Sequence, residues 1–506
     1  MNANEHGSRA GIGQPVNTDR QSPQVVVVGA GIAGLSAAMA MRAVGCRVAI
    51  VERDPEPAPD VDHWRRSGVP HAVQPHFLMG RLRSLFLDRY PGLFAMLREE
   101  GVDEIAFADY LHPLARTRYV PKREDALLTV IASRRTTLER TMRRFVHRNS
   151  MATIIPHTTV NKLLLAEREG TPYVCGVETR TEGSSRIIPS EIVIDATGRT
   201  DALARLLASA GVESNTEHFP CNILYFTQWF RLRPGKTFPS TSGLPGQIFD
   251  DFVIGALPAD NGRFTVTLQV HRDDTELTTL AKHPKTFREF CRRLPAIAPW
   301  IDPDRAEATG PIYGFGMMDY LWRSWVVKGE PRILGFFAVG DSVIRSNPRF
   351  GRGCTWAALG AHLLADVVAE THDPRLRLVR YEKKLRDTFR KDWMTMLAIE
   401  RTTQRRFQIA VGRTPATLRD RFASLLDRRL LESLIADPAV FRAVWSGYNG
   451  FARMSSWTTR FDIWARIIKR SMVGPGELSN LINQLRTRPS RSEIGEILDR
   501  FAIFSS

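Results

Sequence analysis

The 506-residue chain has no long apolar run free of interruptions. Its longest, Val25 to Met41, contains three glycines spaced for a turn and is broken at Arg42, so it reads as a buried strand and helix rather than a membrane span. Residues 1–22 lack the apolar segment of a secretory signal and are rich in Asn, Gly, Gln and Ser, which predicts a disordered lead. Cysteine is scarce: Cys46, Cys175, Cys221, Cys291 and Cys354 are odd in number, scattered, and form no C-x-x-C pair. This argues against a disulfide framework, a metal (zinc) site or a dithiol redox centre, and it fits a reducing cytoplasm. There are no internal repeats, and no RRM, KH, zinc-finger or helix-turn-helix pattern accompanies the formal net charge of +16. Basicity alone is weak support for nucleic acid as a partner. About +12 of that charge falls after residue 370, in a segment that reads as helical throughout.

The positive signal begins at Val25-Val26-Val27-Val28-Gly29-Ala30-Gly31-Ile32-Ala33-Gly34, an apolar strand running through spaced glycines into a helix. Gly29 suits a tight turn, Gly31 removes a Cβ that would block a pyrophosphate, and Gly34 lets helix and strand pack closely. The helix N-terminus offers unpaired N–H groups and partial positive charge to an anion. A second strand, Arg47 to Val51, ends at Glu52 and Arg53, where an acid roughly 20 residues on accepts from ribose hydroxyls. Such an acid would repel a 2′-phosphate, which favours FAD or NAD over NADP.

Further along, Ser133 to Phe145 predicts a helix with Leu138, Met142 and Phe145 on its inner stripe and with arginines crowding its start. Arginine gains nothing from the dipole at that end, so an anionic partner is the reason offered for Arg135. A helix is expected from about Phe77 to Leu87, and a hairpin-like region from Val160 to Val177. Ile192 to Arg199 reads as a buried strand breaking into a glycine turn. Alternating and aromatic patterns at 222–232, 251–257 and 263–270 predict an antiparallel sheet. Arg332 to Asp341 gives one more buried strand, and Asn347-Pro348-Arg349-Phe350-Gly351-Arg352-Gly353 leads into a helix from Cys354 to Glu370.

Four motifs thus stand in order: the Gly29–Gly34 turn with Glu52, Arg135-x-x-Leu138-Glu139, Asp195-Ala196-Thr197-Gly198-Arg199, and Gly340-Asp341 followed by Asn347-Pro348-x-x-Gly351-x-Gly353. Over roughly residues 24 to 370 they resemble the para-hydroxybenzoate hydroxylase-like FAD-dependent monooxygenases. The Arg65-Arg66-Ser67-Gly68-Val69-Pro70 loop and the Asn-Pro turn look most like bacterial flavin epoxidases and geranylgeranyl reductases. The resemblance implies an α/β fold: a discontinuous Rossmann-type FAD-binding domain (23–215 and 331–371), an antiparallel-sheet substrate domain (216–330) and a helical C-terminal region (372–506).

It also implies roles. Asp341 would bond the ribityl chain, while Gly351 and Gly353 would let backbone N–H groups approach the flavin pyrimidine edge. Pro348 would lie against the flavin, Arg135 would meet phosphate or ribityl, Val160 would use its backbone near the adenine, and His76 falls on the loop beside the isoalloxazine. Plainer structural readings exist: Asp341 as a capping acid, Arg135 as a surface charge, His76 as a core histidine and Cys354 as packing. The chain has Ala196 and Thr197 between Asp195 and Gly198 where aromatic hydroxylases carry an Asp-Gly pair, and no second glycine-rich unit. Two electron sources therefore remain open, NAD(P)H docking directly or a partner flavin reductase. No Trp-x-Trp-x-Ile-Pro halogenase signature is present.

The chemistry implied is oxygen transfer from O₂, through a flavin hydroperoxide, to an apolar small molecule by epoxidation or hydroxylation. Leu224 to Phe230 and Tyr313 to Met318 are the expected chamber walls. Alternatives are a reductase of isoprenoid double bonds and, from another class, a flavin-bearing nucleic-acid-binding protein. Phe441 to Met472, with Trp445, Trp457 and Trp464, is expected to cap the substrate domain, or else to lie as basic amphipathic helices on an anionic membrane.

Overall fold

The computed structural model describes residues 24–58, 64, 66–239, 246–316, 318–472, 480, 483–484 and 487–501, so the expected N-terminal lead, Arg65 and Met317 lie outside the described residues. Val25–Val28 (β1) is a run of buried β-branched residues, suited to a strand covered on both faces. It turns into Ile32–Ala43 (α1) and returns as Val48–Val51 (β2). Arg135–Arg148 (α2) then leads to Thr153–Ile155 (β3), and Ile192–Asp195 (β4) follows a three-stranded antiparallel sheet over residues 159–189. The second layer holds Ile223–Leu232 (β5), Gly246–Ile248 (β6), Phe252–Pro258 (β7), Arg263–His271 (β8) and Ala306–Phe315 (β9). Phe336–Ala338 (β10) brings the chain back before the helices Gly353–Glu370 (α3), Pro374–Ala410 (α4), Leu418–Ala436 (α5), Pro438–Tyr448 (α6), Phe461–Met472 (α7) and Arg491–Arg500 (α8).

The first sheet is parallel, in the order β10-β4-β1-β2-β3, with Val25 opposite both Val48 and Ile192. α1 packs between α2 and α3, and its buried side, apolar apart from Ser36, joins the main core. The second sheet is antiparallel, in the order β6-β7-β8-β5-β9. One face of it is closed by the helices Thr275–Lys282 and Pro284–Arg292 and by α8, so that Phe226, Phe230, Phe287, Phe290 and Ile497 share a core.

α4 is 37 residues long, about 55 Å at helical rise, and ties the two layers together. Near its start the Tyr381 hydroxyl donates to the β10 carbonyl of Ala338 at 2.8 Å, and near its end the Phe407 ring stacks on His271 of β8, 4.0 Å between centroids. α6 does not cap the substrate sheet as expected. Its Phe441 and Trp445 pack instead on Phe107, Tyr110, Leu128 and Val130, and the covering of the substrate sheet falls to α8.

Two further boundaries differ from the sequence reading. The helix expected from Phe77 begins at Gly80, because Leu78 is held extended by a bridge to Ile131 and the Gly80 N–H is capped by Asn449 Oδ1 at 2.7 Å. The expected hairpin is completed by a third strand, Ser184–Pro189, paired to residues 176–181.

Gly34 is fixed by packing alone, since a Cβ there would overlap the Gly29 carbonyl oxygen and lie 3.3 Å from the Ala196 Cβ. Gly34→Ala is therefore expected to cost about 1–3 kcal/mol. The check is a thermal melt by circular dichroism beside Gly45→Ala, where a Cβ would meet nothing within 4 Å although φ is +88°.

Candidate active site

A single cavity of about 1550 Å³ runs from the β1–α1 turn to the C-terminal helices. Every site residue proposed from sequence lines it except Gly34 and Gly340, which act in the packing behind it. Glu52, Arg53 and Val160 share this lining with Gly29, Gly31, Arg135, His76, Asp341, Pro348, Gly351 and Gly353.

Beneath the turn, three carboxylates face three guanidiniums. Glu52 accepts from the Ala30 N–H at 2.7 Å, the Asp54 N–H at 2.8 Å, Arg143 Nη2 at 3.1 Å and Arg66 Nη2 at 3.3 Å. Arg66 also lies 3.2 Å from Asp54 and 3.6 Å from Glu139. Arg135 Nε donates to Glu139 at 2.8 Å, and Arg66 and Arg143 both stand 5.2 Å from the Trp64 ring centroid. Burial alone would raise the Glu139 carboxyl, but Arg135, Arg66 and Arg143 together hold it below the usual carboxylate range. Arg135, Glu139 and Arg143 sit on one face of α2 at i, i+4, i+8 spacing. That spacing was visible in the sequence, where only Arg135 was singled out as a site residue; Arg66, Glu139 and Arg143 were missed.

Arg135 links this cluster to the cavity. Its Nη1 lies 2.6 Å from His71 Nε2 and 3.2 Å from His76 Nε2. A guanidinium only donates, so both Nε2 atoms accept and both protons sit on Nδ1. His76 Nδ1–H donates to the Gln74 carbonyl at 2.9 Å. Burial, then the Arg135 charge, push the His76 pKa down to about 3 and hold His71 well below its ordinary value. The two rings are thus neutral in the range where histidine ordinarily titrates. His71, five residues before His76 in the same loop, lines the cavity too and was not singled out from sequence.

Gly31 tests whether a dinucleotide fits. Its φ is ordinary, and a Cβ there would meet only Glu139 Oε1 at 3.5 Å and Arg135 Nη2 at 3.7 Å. The protein's own packing therefore leaves that position open towards the cavity. Gly353 is similar, its Cβ direction meeting only Asp341 Oδ1 at 4.0 Å, at the first residue of an 18-residue helix. Gly351 differs: with φ +64° and a Cβ that would sit 2.5 Å from Met79, it is demanded by the turn itself. Gly340, at φ +63°, is likewise required by close packing on Ala33 and Ala357.

The Pro348 turn is held from below. Asn347 is fully buried, accepts from the Arg349 N–H at 3.0 Å and from the Tyr225 hydroxyl, and donates to Glu400 Oε2 at 3.0 Å. Tyr225 is on β5 and Glu400 on α4, so the second sheet and the long helix both fix this turn. Glu400 was invisible in sequence, lying 53 residues from its partner. Nearby, Asp195 ends β4 buried, accepting from the Thr197 N–H at 2.9 Å and the Ser342 hydroxyl at 2.9 Å. The Cys354 thiol is pushed up to about 11 by burial and stays neutral.

The chamber walls differ in part from expectation. Tyr225, Gly314, Phe315 and Gly316 line the cavity, but Phe226 and Phe230 alternate to the opposite face of the sheet and join its core, and Met318 is buried in the main core. The missing wall comes from Phe249, Val253 and Leu257, and from Ile399, Leu430 and Trp445 of the C-terminal helices. Trp445 packs 4.9 Å from Tyr110 and 5.8 Å from Phe77, and is not a surface anchor.

Fold and site together define an α/β protein in which a Rossmann-type glycine turn and an apolar chamber share one cavity. Residues 27–99 match the model of the NAD(P)-binding Rossmann-like domain. Among curated protein sequences none matches the chain. Solved structures share its fold at low identity. The myxobacterial chondrochloren halogenase CndH is 16% identical, with 93% of this chain and 99% of that one covered and a TM-score of 0.57. The p-nitrophenol 4-monooxygenase PnpA from Pseudomonas putida DLL-E4 is 14% identical over 84% and 97%, TM-score 0.55. The anhydrotetracycline hydroxylase OxyS from Streptomyces rimosus is 16% identical over 85% and 76%, TM-score 0.54.

Two outcomes are expected. Asn347→Ala leaves Glu400 and Tyr225 without their partner and should cost about 2–3 kcal/mol, read by denaturant unfolding. Because the folded His76 pKa lies below the unfolded value near 6.5, the unfolded chain takes up the proton first, and stability falls as pH drops from 6.5 towards 3. Histidine NMR should show His76 neutral from about pH 5 upwards, and His76→Gln should flatten the acid limb of the stability curve.

Proposed function

We propose that this chain is an FAD-dependent monooxygenase that epoxidises or hydroxylates an apolar small molecule. The observation that carries this is the single cavity, in which a glycine turn open towards an anion at Gly31 and a helix start at Gly353 share one space with an apolar chamber. The fold shared with a 4-monooxygenase, a hydroxylase and a halogenase supports it.

In this reading Glu52 and Arg53 hold the ribose end, Val160 lies by the adenine, and the α1 N-terminus with Arg135 Nη2 meets the pyrophosphate. Asp341 bonds the ribityl chain, and Pro348, Gly351 and Gly353 flank the ring. Bound FAD, once reduced, supplies the electron pair with which O₂ gives one oxygen atom to substrate and the other to water. The remaining work belongs to the side chains. Arg135 fixes the neutral tautomers of His71 and His76, so the loop offers no acidic proton to the site. The Phe77, Tyr110, Phe441 and Trp445 rings keep water from the chamber. The two electrons come from NAD(P)H, directly or through a partner flavin reductase, and the protein works in the cytoplasm.

Arg135→Ala should weaken FAD binding about 10- to 100-fold, as expected for a charge-assisted hydrogen bond, measured by flavin fluorescence titration. The decisive test supplies labelled O₂ to the reduced protein with a panel of alkenes and aromatics. Label in the product is the expected result. A saturated product without label would replace the monooxygenase with a reductase of isoprenoid double bonds.

A further inference from the structure

α5 carries two different faces. Its inner row, including Ser424, Asp427, Leu430, Leu431 and Leu434, lines the cavity. Its outer row, Leu418, Phe422, Leu425 and Leu426, covers about 100° of the helix circumference and faces away from the cavity. Leu418 is 83% exposed and Phe422 61%. α7 packs beside α5, buries Ile463 and Ile467 inward, and leaves Phe461 86% exposed, with Ile468 also outward.

Charge around this face is sorted. The acids of α5 are neutralised by its neighbour: Arg405 of α4 holds Asp420 through two bonds of 2.7 and 2.6 Å, and Arg406 pairs with Asp427. Arg428 and Arg429 both bind Glu432. Arg419 and Arg421, at the two margins of the apolar stripe, and Lys469 on α7 are exposed and have no acidic partner among the described residues. An apolar stripe edged by uncompensated cations matches the lipid–water boundary of an anionic membrane, where apolar side chains enter the acyl region and cations meet headgroups. Among the described residues no helix is long and apolar enough to cross a membrane, so contact would be from the surface.

We propose that the outer face of α5, extended by Phe461 and Ile468 of α7, docks on an anionic lipid bilayer and sets the α5 side of the cavity against it. The part concerning substrate delivery rests on the apolar substrate proposed above; docking does not. A lipophilic substrate would then pass from bilayer to chamber past α5 without crossing water. This face differs from the Trp445 region, which is buried.

The test is flotation of the full FAD-loaded chain with vesicles of phosphatidylcholine, with and without phosphatidylglycerol. Binding is expected to the anionic vesicles. Leu418→Ser with Phe422→Ser should weaken it at least tenfold, and Arg419→Glu with Arg421→Glu should abolish the preference for anionic lipid. Melting temperature and flavin content should not change, since these side chains are exposed and lie outside the cofactor residues. No binding to either vesicle, or binding unaltered by both double variants, overturns the proposal. So does a dimer in sedimentation velocity that the apolar variant dissociates, which would assign the face to a second copy of the chain. Vesicle binding by a chain that holds no flavin would uphold docking while removing the flavin reading.

Discussion

The buried cluster of Glu52, Asp54 and Glu139 against Arg66, Arg135 and Arg143 is the constraint on which the rest of the site depends. Each charge would be costly to bury alone, and the cluster is tolerable because every carboxylate faces at least one guanidinium. Its members come from the loop after β2 and from α2, so the two cannot shift independently. Glu52 and Arg143 also grip the Ala30 N–H and carbonyl, which fixes the glycine turn from beneath. Glu52 is therefore committed to several protein donors before any ribose is considered. Its place in the motif serves the turn.

Positive charge reaches the cavity from this cluster through Arg66 and Arg135. Arg135 reaches both histidines, and its donors decide their tautomers. That arrangement makes a proton-inert wall from two residues whose unperturbed pKa would make them titrate near neutrality. Under the proposed oxygen transfer such a wall would help keep water and stray protons from the chamber. At the other end the Pro348 turn is pinned by Asn347 to Tyr225 and Glu400. The geometry between the two layers is thus set by buried polar bonds, while their separate cores supply most of the burial.

The parallel sheet, α2 with its inner stripe, the antiparallel layer and the helical C-terminal segment could be read locally, because each depends on period and turn chemistry within a short window. The glycine turn was legible for the same reason. Less legible was which face of β5 meets the cavity. Alternation separates Tyr225 from Phe226 and Phe230, but the pattern alone does not say which side a helical layer will cover. The role of α6 was missed because its aromatic residues match a segment some 320 residues earlier in the chain, a pairing that no local pattern encodes.

The sequence by itself determined a dinucleotide-type turn, an acid at the end of the second strand, and the order of strands and helices, since these follow from backbone sterics and hydrophobic periodicity. Tertiary structure decided the rest. It separated glycines required by packing, Gly34, Gly340 and Gly351, from those that open on the cavity, Gly31 and Gly353. It brought His71 to Arg135 and Glu400 to Asn347. It also turned one row of α5 inward to the chamber and left the other outside. Such choices depend on which distant surfaces bury each other, and burial is a property of the folded whole.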